Sequence, residues 1–204
     1  MSNSQMVAWD REYHRRGRLW RGEQKDADII SPYLSKGPIL DSGCGNGKGS
    51  PDGGNVVALD FSRNALRLHP SEMKVLGDMR ALPFKDSVFS SVLFIHSLGH
   101  LSAEHRLSAL AEGSRVLREG GIMAVRVFSR SDFRYGKGKE VEEGTFMRGN
   151  GIITHYFNKE ELLPAENMKI ERFEKINYNI NIHSEKYLRE EFIIIFKKLK
   201  SQNS

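Results

Sequence analysis

Cysteine is almost absent: Cys44 is the single one in 204 residues. One thiol excludes an internal disulfide and any cysteine-rich zinc site, and it fits a reducing compartment. Long apolar runs are missing too, since nothing approaches the roughly 18 uninterrupted apolar residues of a membrane span. The opening stretch MSNSQMVAWDREYHRRGRLW lacks the apolar core of a signal peptide. A cytoplasmic protein without membrane attachment is therefore expected. The seven histidines are scattered and none forms an HExxH pair, so no metal site is expected. Charge excess is small: a net +5 with a pI near 9.3 permits an anionic partner without requiring one. Repeats, low-complexity tracts and linkers are lacking as well, and 39% hydrophobic residues suffice for one sizeable core. A single domain over residues 1–204 is predicted.

What is present is an alternation. Apolar runs bounded by Gly, Pro, Asp and Ser recur at PILD, VVALD, MKVL, SVLFIHS and GIMAVRVFS, with helical periodicity between several of them. Short strands alternating with helices favour a mostly parallel sheet covered on both faces. The clearest helix is predicted in SAEHRLSALAEGSRVLREGG, with Leu107, Leu110, Ala111, Ser114, Val116 and Leu117 as its apolar stripe. Ser102 and His105 make a weak cap there, and Gly120 and Gly121 a stop. Residues 129–157 are rich in Gly and charge with little periodicity, which predicts a long substrate-side loop. A short capped helix is expected from Asn158 to Leu163, then two antiparallel strands, Ile170 to Ile182 and Phe192 to Leu199, at the sheet edge.

The chemistry concentrates in ILDSGCGNGKGSPDGGNVVALD, from Ile39 to Asp60. Gly43, Gly45 and Gly47 follow a strand and let the backbone approach a ligand closely. Asp60 ends the next strand, where an acid accepts both hydroxyls of a ribose. Asp78 ends a third strand, where a carboxylate and the next amide reach an adenine edge. The glycines are spaced G-x-G-x-G, unlike the G-x-G-x-x-G that puts a pyrophosphate on a helix N-terminus. Asp41 would repel a pyrophosphate but suits an amino group or a sulfonium. Between Gly47 and Asp60, KGSPDGGN holds too much Gly and Pro for a helix, so the crossover is short.

Over Pro38 to Phe128 the chain resembles the class I S-adenosylmethionine-dependent methyltransferases. Asp41, Gly43, Gly45 and Gly47 match the first motif, Asp60 with Phe61 the ribose-binding acid, Asp78 with Met79 the adenine-contacting acid, and Phe94 to His96 the strand-four motif. The resemblance implies a Rossmann-like seven-stranded, mostly parallel sheet with helices on both faces and an antiparallel C-terminal edge strand. An N-terminal helical lid (1–36), a cofactor-binding core (38–128), the loop (129–157) and a C-terminal helix with edge strands (158–204) would make up its parts. It implies S-adenosyl-L-methionine as cofactor, bound by Asp41, Gly43, Cys44, Gly45, Asn46, Gly47, Asp60, Phe61, Asp78, Met79 and Ile95, with Arg18 and Trp20 from the lid. Cys44 reads as a small hydrophobe under the loop and not as a nucleophile.

His96 and His100, at the end of the fourth strand, are the candidates for a base or an acceptor-orienting group. Arg134, Tyr135, Lys137, Glu140, Glu142, Glu143, His155 and Tyr156 supply acceptor-binding options. GCGNGK, ALPFKDSVFSSV, HSLGHLSAEHR and RVLREGG look most like the branch containing tRNA wobble-uridine methyltransferases. By that resemblance a small zinc-ribbon activator subunit is an expected partner, with EEFIIIFKKL as a strand that either pairs with it or is internal. Acceptors from two classes stay open, a tRNA base or a small metabolite. A catalytically silent methyltransferase-like subunit is the alternative from outside enzymology, and the intact acids and glycines argue against it.

Overall fold

The computed structural model describes residues 3–19, 27–53 and 55–201. In chain order the elements are α1 (Asn3–Arg16), the single turn α2 (Ala27–Ile30), β1 (Ile39–Ser42), β2 (Val56–Asp60), α3 (Arg63–Leu68), β3 (Met73–Leu76) and β4 (Phe89–Ile95). There follow α4 (Ala103–Val116), β5 (Leu117–Phe128), β6 (Lys139–Glu142), β7 (Thr145–Met147), β8 (Ile153–His155), β9 (Met168–Ile182) and β10 (Glu185–Lys198). Seven strands form one sheet in the order β3-β2-β1-β4-β5-β10-β9. The first five pair in parallel, and β10 runs antiparallel to both β5 and β9. The strand order reverses between β1 and β4, and at such a switch point the loops leave in opposite directions and open a crevice beyond the carboxyl ends.

The sheet is apolar on both faces because both are covered. Leu40, Leu59, Val92, Phe94, Met123 and Val125 face Ala109 and Val116 of α4. Leu93, Ile122, Ala124, Ile193 and Ile195 face Ile30 of α2. Ile194 and Phe196 of β10 join the first cluster while Ile193 and Ile195 join the second, the two-residue period of a strand buried on both sides. Burying one such side chain contributes roughly 1.5–3 kcal/mol. Gly113 sits where α4 meets the sheet: a Cβ there would stand 2.8 Å from the Phe94 ring and 3.0 Å from Met123 Cε.

Five sequence expectations change. The helix expected to run to Gly120 ends at Val116, because Leu117 already pairs with Phe89 as the first residue of β5. Leu107, assigned to its apolar stripe, is 71% exposed. Residues 129–157 contain the three-stranded antiparallel sheet β6-β7-β8, whose strands of three or four residues are too short for periodicity to reveal. The expected helix after Asn158 is a 3-10 turn over Lys159–Glu161, closed by an Asn158–Glu161 capping box. Finally, EEFIIIFKKL belongs to β10 inside the sheet, and the edge is β9. That edge carries Lys169, Glu171, Arg172, Glu174 and Lys175, charges that discourage pairing with another chain.

Candidate functional site

The carboxyl ends of β1, β2, β4 and β5 open on one cavity of about 860 Å³. Its near half is made by the glycine turn. Gly43, Gly45 and Gly47 take φ of +75°, +54° and +87°, the left-handed region that glycine enters without strain. A Cβ on Gly43 would stand 2.5 Å from Ser97 Cβ, and one on Gly45 would stand 2.4 Å from the Tyr13 oxygen. Asp60 anchors the turn: its Oδ2 accepts the Gly45 amide at 2.9 Å and its Oδ1 the Ser62 amide at 2.8 Å. Each oxygen keeps a further lone pair. Burial pushes the Asp60 carboxyl up to about 6 against those two amides. The Oγ of Ser97, buried in the same wall, meets no hydrogen-bond partner among the described residues.

Behind the turn, among the described residues, no helix joins β1 to β2. Side chains hold the short crossover instead. The Ser50 hydroxyl donates to Asp41, and His69 Nε2 donates to Ser50 Oγ at 2.8 Å. The Ser71 amide donates to His69 Nδ1 at 3.0 Å, which puts the ring proton on Nε2. Asp41 and His69 are both buried.

Helix α1 roofs the cavity with Trp9 and Tyr13. It is tied down on both sides. Asp10 accepts the Ser62 hydroxyl at 2.7 Å and the Asn64 amide at 3.1 Å at the start of α3. Gln5 donates to the Gly151 carbonyl at 2.7 Å and accepts the Ile153 amide at 3.2 Å.

The far half is walled by β9, β10 and the end of β5. Arg126 Nε donates to Glu191 Oε2 at 2.6 Å, and the Tyr178 hydroxyl donates to Oε1 at 2.8 Å. Burial and the Glu191 charge push the Tyr178 phenol up to about 12. His96 borders this pair, with Nε2 3.6 Å from Glu191 Oε2 and its ring stacked on Phe128 at 4.5 Å. Its φ of +57° is uncommon for a residue with a Cβ, a strain found where a side chain is aimed for use. Burial, with Arg126 and Arg189 near, pushes His96 well below the ordinary imidazole value, so the ring is neutral. Its Nδ1 is buried and has no hydrogen-bond partner among the described residues. His100 is pushed down to about 4 by burial, its Nδ1 donates to the Ile153 carbonyl at 2.7 Å, and Trp9 packs on it at 4.6 Å.

Residues 40–125 match the family described as methyltransferase domain. Over 84% of this chain and 97% of its own, the structure of a SAM-dependent methyltransferase from Methanosarcina mazei superposes with a TM-score of 0.68 at 26% identity. Residues 40–125 thus carry a methyltransferase domain's sequence on the fold of a SAM-dependent methyltransferase. A demethylmenaquinone methyltransferase of Renibacterium salmoninarum is 38% identical over 124 residues, which is 57% of this chain and 50% of that protein. A tRNA N(3)-methylcytidine methyltransferase of Drosophila melanogaster is 26% identical over 155 residues, 65% of this chain and 48% of that protein. The chain spans about half the length of the curated relatives it matches.

In the methyltransferase domain, Gly43, Cys44, Gly45, Asn46, Asp60, Phe61, Met79, Ile95, His96 and His100 border the one cavity. Asp41 and Gly47 stand behind it, Asp41 on Ser50 and Gly47 against His69 and Pro70. Asp78 is turned aside: Arg80 Nε donates to both of its oxygens at 2.9 Å, and only the next residue, Met79, reaches the cavity. Arg18 donates to the Leu68 carbonyl at 3.4 Å on the surface, away from the cavity. Trp20 lies outside the described residues. From the loop, Arg134 borders the cavity, whereas His155 is held between Thr145 and Glu161 at 2.7 Å each. Sequence reasoning missed Arg126, Tyr178, Arg189 and Glu191. A signal existed, since Arg126 breaks the apolar run GIMAVRVF and Glu190 and Glu191 adjoin FIIIF. A charge inside a fully buried strand needs a partner.

No helix among the described residues is long and apolar enough to cross a membrane, and they hold no cluster of three metal-ligating side chains.

Proposed function

We propose that this protein transfers the methyl group of S-adenosylmethionine to a small-molecule acceptor in the far half of the cavity. The observation that carries the reading is the continuity of one cavity from Asp60 and Phe61 to His96, Tyr178 and Glu191. Bound there, the cofactor supplies an electrophilic methyl group on a sulfonium, and transfer needs mainly closeness and alignment.

The chain's own residues fit that task. Asp60 would accept the two ribose hydroxyls on its remaining lone pairs, while Phe61, Met79 and Ile95 give an apolar flank for the base. The Gly43 to Gly45 turn and Ser97 would receive the amino-acid end. The His96 ring, which borders the cavity, would orient the acceptor, since a neutral imidazole of low basicity orients more readily than it deprotonates. Tyr13 and Trp9 exclude water from above.

A second reading, methylation of a tRNA base, draws on the Drosophila relative and on the net charge of +5. A small zinc-ribbon activator subunit belongs with that reading. Calorimetry with S-adenosylhomocysteine, Asp60→Ala serving as the control, tests the cofactor site; absence of heat with the unaltered protein would sink the enzyme reading. Label transfer from the cofactor into a small-metabolite extract, against total tRNA, separates the acceptors. A product in tRNA whose formation falls steeply with salt would favour the second reading.

A further inference from the structure

The far half of the cavity holds more positive charge than the protein answers. Arg126 is matched by Glu191, and Lys175 by Glu190 at 3.5 Å. Arg134, Arg148 and Arg189 share what remains, and all three border the cavity. Among the described residues, Asp132 is the one carboxylate within ion-pair distance of any of them, 3.2 Å from Arg189 Nε. Asp132 also accepts the Arg134 amide at 3.1 Å. Arg189 is 6% exposed, and its Nε and Nη2 meet no well-aligned hydrogen-bond acceptor among the described residues. Its guanidinium lies 4.5 Å over the Phe128 ring, the ring on which His96 stacks. Arg148 reaches the Tyr156 phenol, and Arg134 lies 5.2 Å over Phe133. Burial, with Arg189 and Arg148 facing it, pushes the Arg134 guanidinium down to about 10.

Three guanidiniums share one carboxylate: the buried Arg189 has Asp132, while the partly buried Arg134 and Arg148 have no carboxylate among the described residues, and charge drawn into a cavity wall is costly without a counter-ion. Such a cluster suits a ligand that supplies the missing anion, because guanidiniums bind carboxylate and phosphate oxygens through paired donors. We propose that the acceptor is a small organic molecule bearing a carboxylate or phosphate, held by Arg134, Arg148 and Arg189 as its anchor. The anchored group is not the one methylated: donors that stabilise an anion draw its lone pairs away from an electrophile, so the methyl goes to another atom of the same molecule. Phe128, Ile176 and Tyr178 border the same space and offer an apolar surface to the body of that molecule. The placement disfavours a nucleic-acid backbone, whose phosphates are met by exposed cations rather than by an arginine packed into a cavity wall. This inference rests on the methyltransferase reading above and adds the acceptor's class to it.

The test uses the full chain saturated with S-adenosylhomocysteine and titrated calorimetrically with benzoate, inorganic phosphate, benzamide and total tRNA. One-to-one binding of benzoate or of phosphate, with none of benzamide, is the expected result, and whichever anion binds names the source of the charge. Arg134→Gln/Arg148→Gln should weaken that binding by about tenfold or more, as loss of charge-assisted hydrogen bonds does, while S-adenosylhomocysteine affinity stays unchanged. Those two positions are only partly buried, so the double variant avoids the folding risk of replacing Arg189. Failure of both anions to bind the loaded protein overturns the proposal, as does anion binding that the double variant leaves intact. So does binding of tRNA alone, lost in that variant. Failure of S-adenosylhomocysteine itself to bind, with anion binding retained, would instead remove the methyltransferase reading and leave the anion site standing.

Discussion

Ser50 and His69 meet at 2.8 Å behind the glycine turn, with the Asp41 carboxylate on the other side of the same hydroxyl. This chain of side chains does the work that a crossover helix would otherwise do. It pins a glycine-rich segment, costly to order, to the ends of β1 and α3.

Ser50→Ala removes the donor to a buried carboxylate and the acceptor of a buried imidazole together. A loss of about 1–3 kcal/mol in unfolding free energy is expected by urea denaturation, with weaker S-adenosylhomocysteine binding. Unchanged stability would show that the crossover does not depend on this contact.

Asp60 should make cofactor binding pH-dependent. Its folded carboxyl is raised to about 6, above the ordinary unfolded value. The sign follows: its contribution to stability is fully present below about 4 and is lost as pH rises through about 6. Affinity for the ribose hydroxyls runs the other way, since it needs the ionised form. S-adenosylhomocysteine affinity, measured by calorimetry, should rise about fivefold between pH 5 and 6, about tenfold by pH 7, and level off above that. A flat profile would place the ribose contact elsewhere.

Gly45→Ala should weaken cofactor binding, because its φ is +54° and the new methyl would meet the Tyr13 oxygen. Combining it with Tyr13→Phe should recover part of the loss, giving a coupling energy of about 0.5–3 kcal/mol in a double-mutant cycle. Strictly additive effects would show that α1 does not bear on the turn.

Glu191→Ala leaves Arg126 buried without its carboxylate, and a cost of about 3–5 kcal/mol is expected in thermal or urea unfolding. Tyr178→Phe, which removes only one hydrogen bond to the same carboxylate, should cost about 1 kcal/mol.

His96→Ala should lower kcat of label transfer by about tenfold or more with cofactor affinity unchanged, as expected for a group that aims the acceptor. Equal loss in cofactor affinity would assign the ring to the near half instead.

Much of this was legible in the residues. The strand-ending Asp60, the glycines of the turn, Phe61, Met79 and the strand-four histidines are local features, set by a strand and the few residues after it. Parallel strands ending on short loops bring such positions to one edge whatever the rest of the chain does. The apolar runs likewise determined a doubly covered sheet, because only a strand buried on both faces reads as continuously apolar.

What the tertiary structure alone decided is the far half. Periodicity states which face a residue occupies, not which element lies opposite. Arg126 finds Glu191 across 65 residues because β10 returns antiparallel to β5. Asp78 has the strand-end position of a ligand-binding acid, yet Arg80, two residues on, captures its carboxylate by a local geometry that no motif spacing reports. Residues 129–157 read as a loop because their strands are shorter than a detectable period, and only their pairing brings Arg148 to the cavity beside Arg134 and Arg189. The near half of the cavity is written in short-range sequence, while the far half is assembled by long-range pairing.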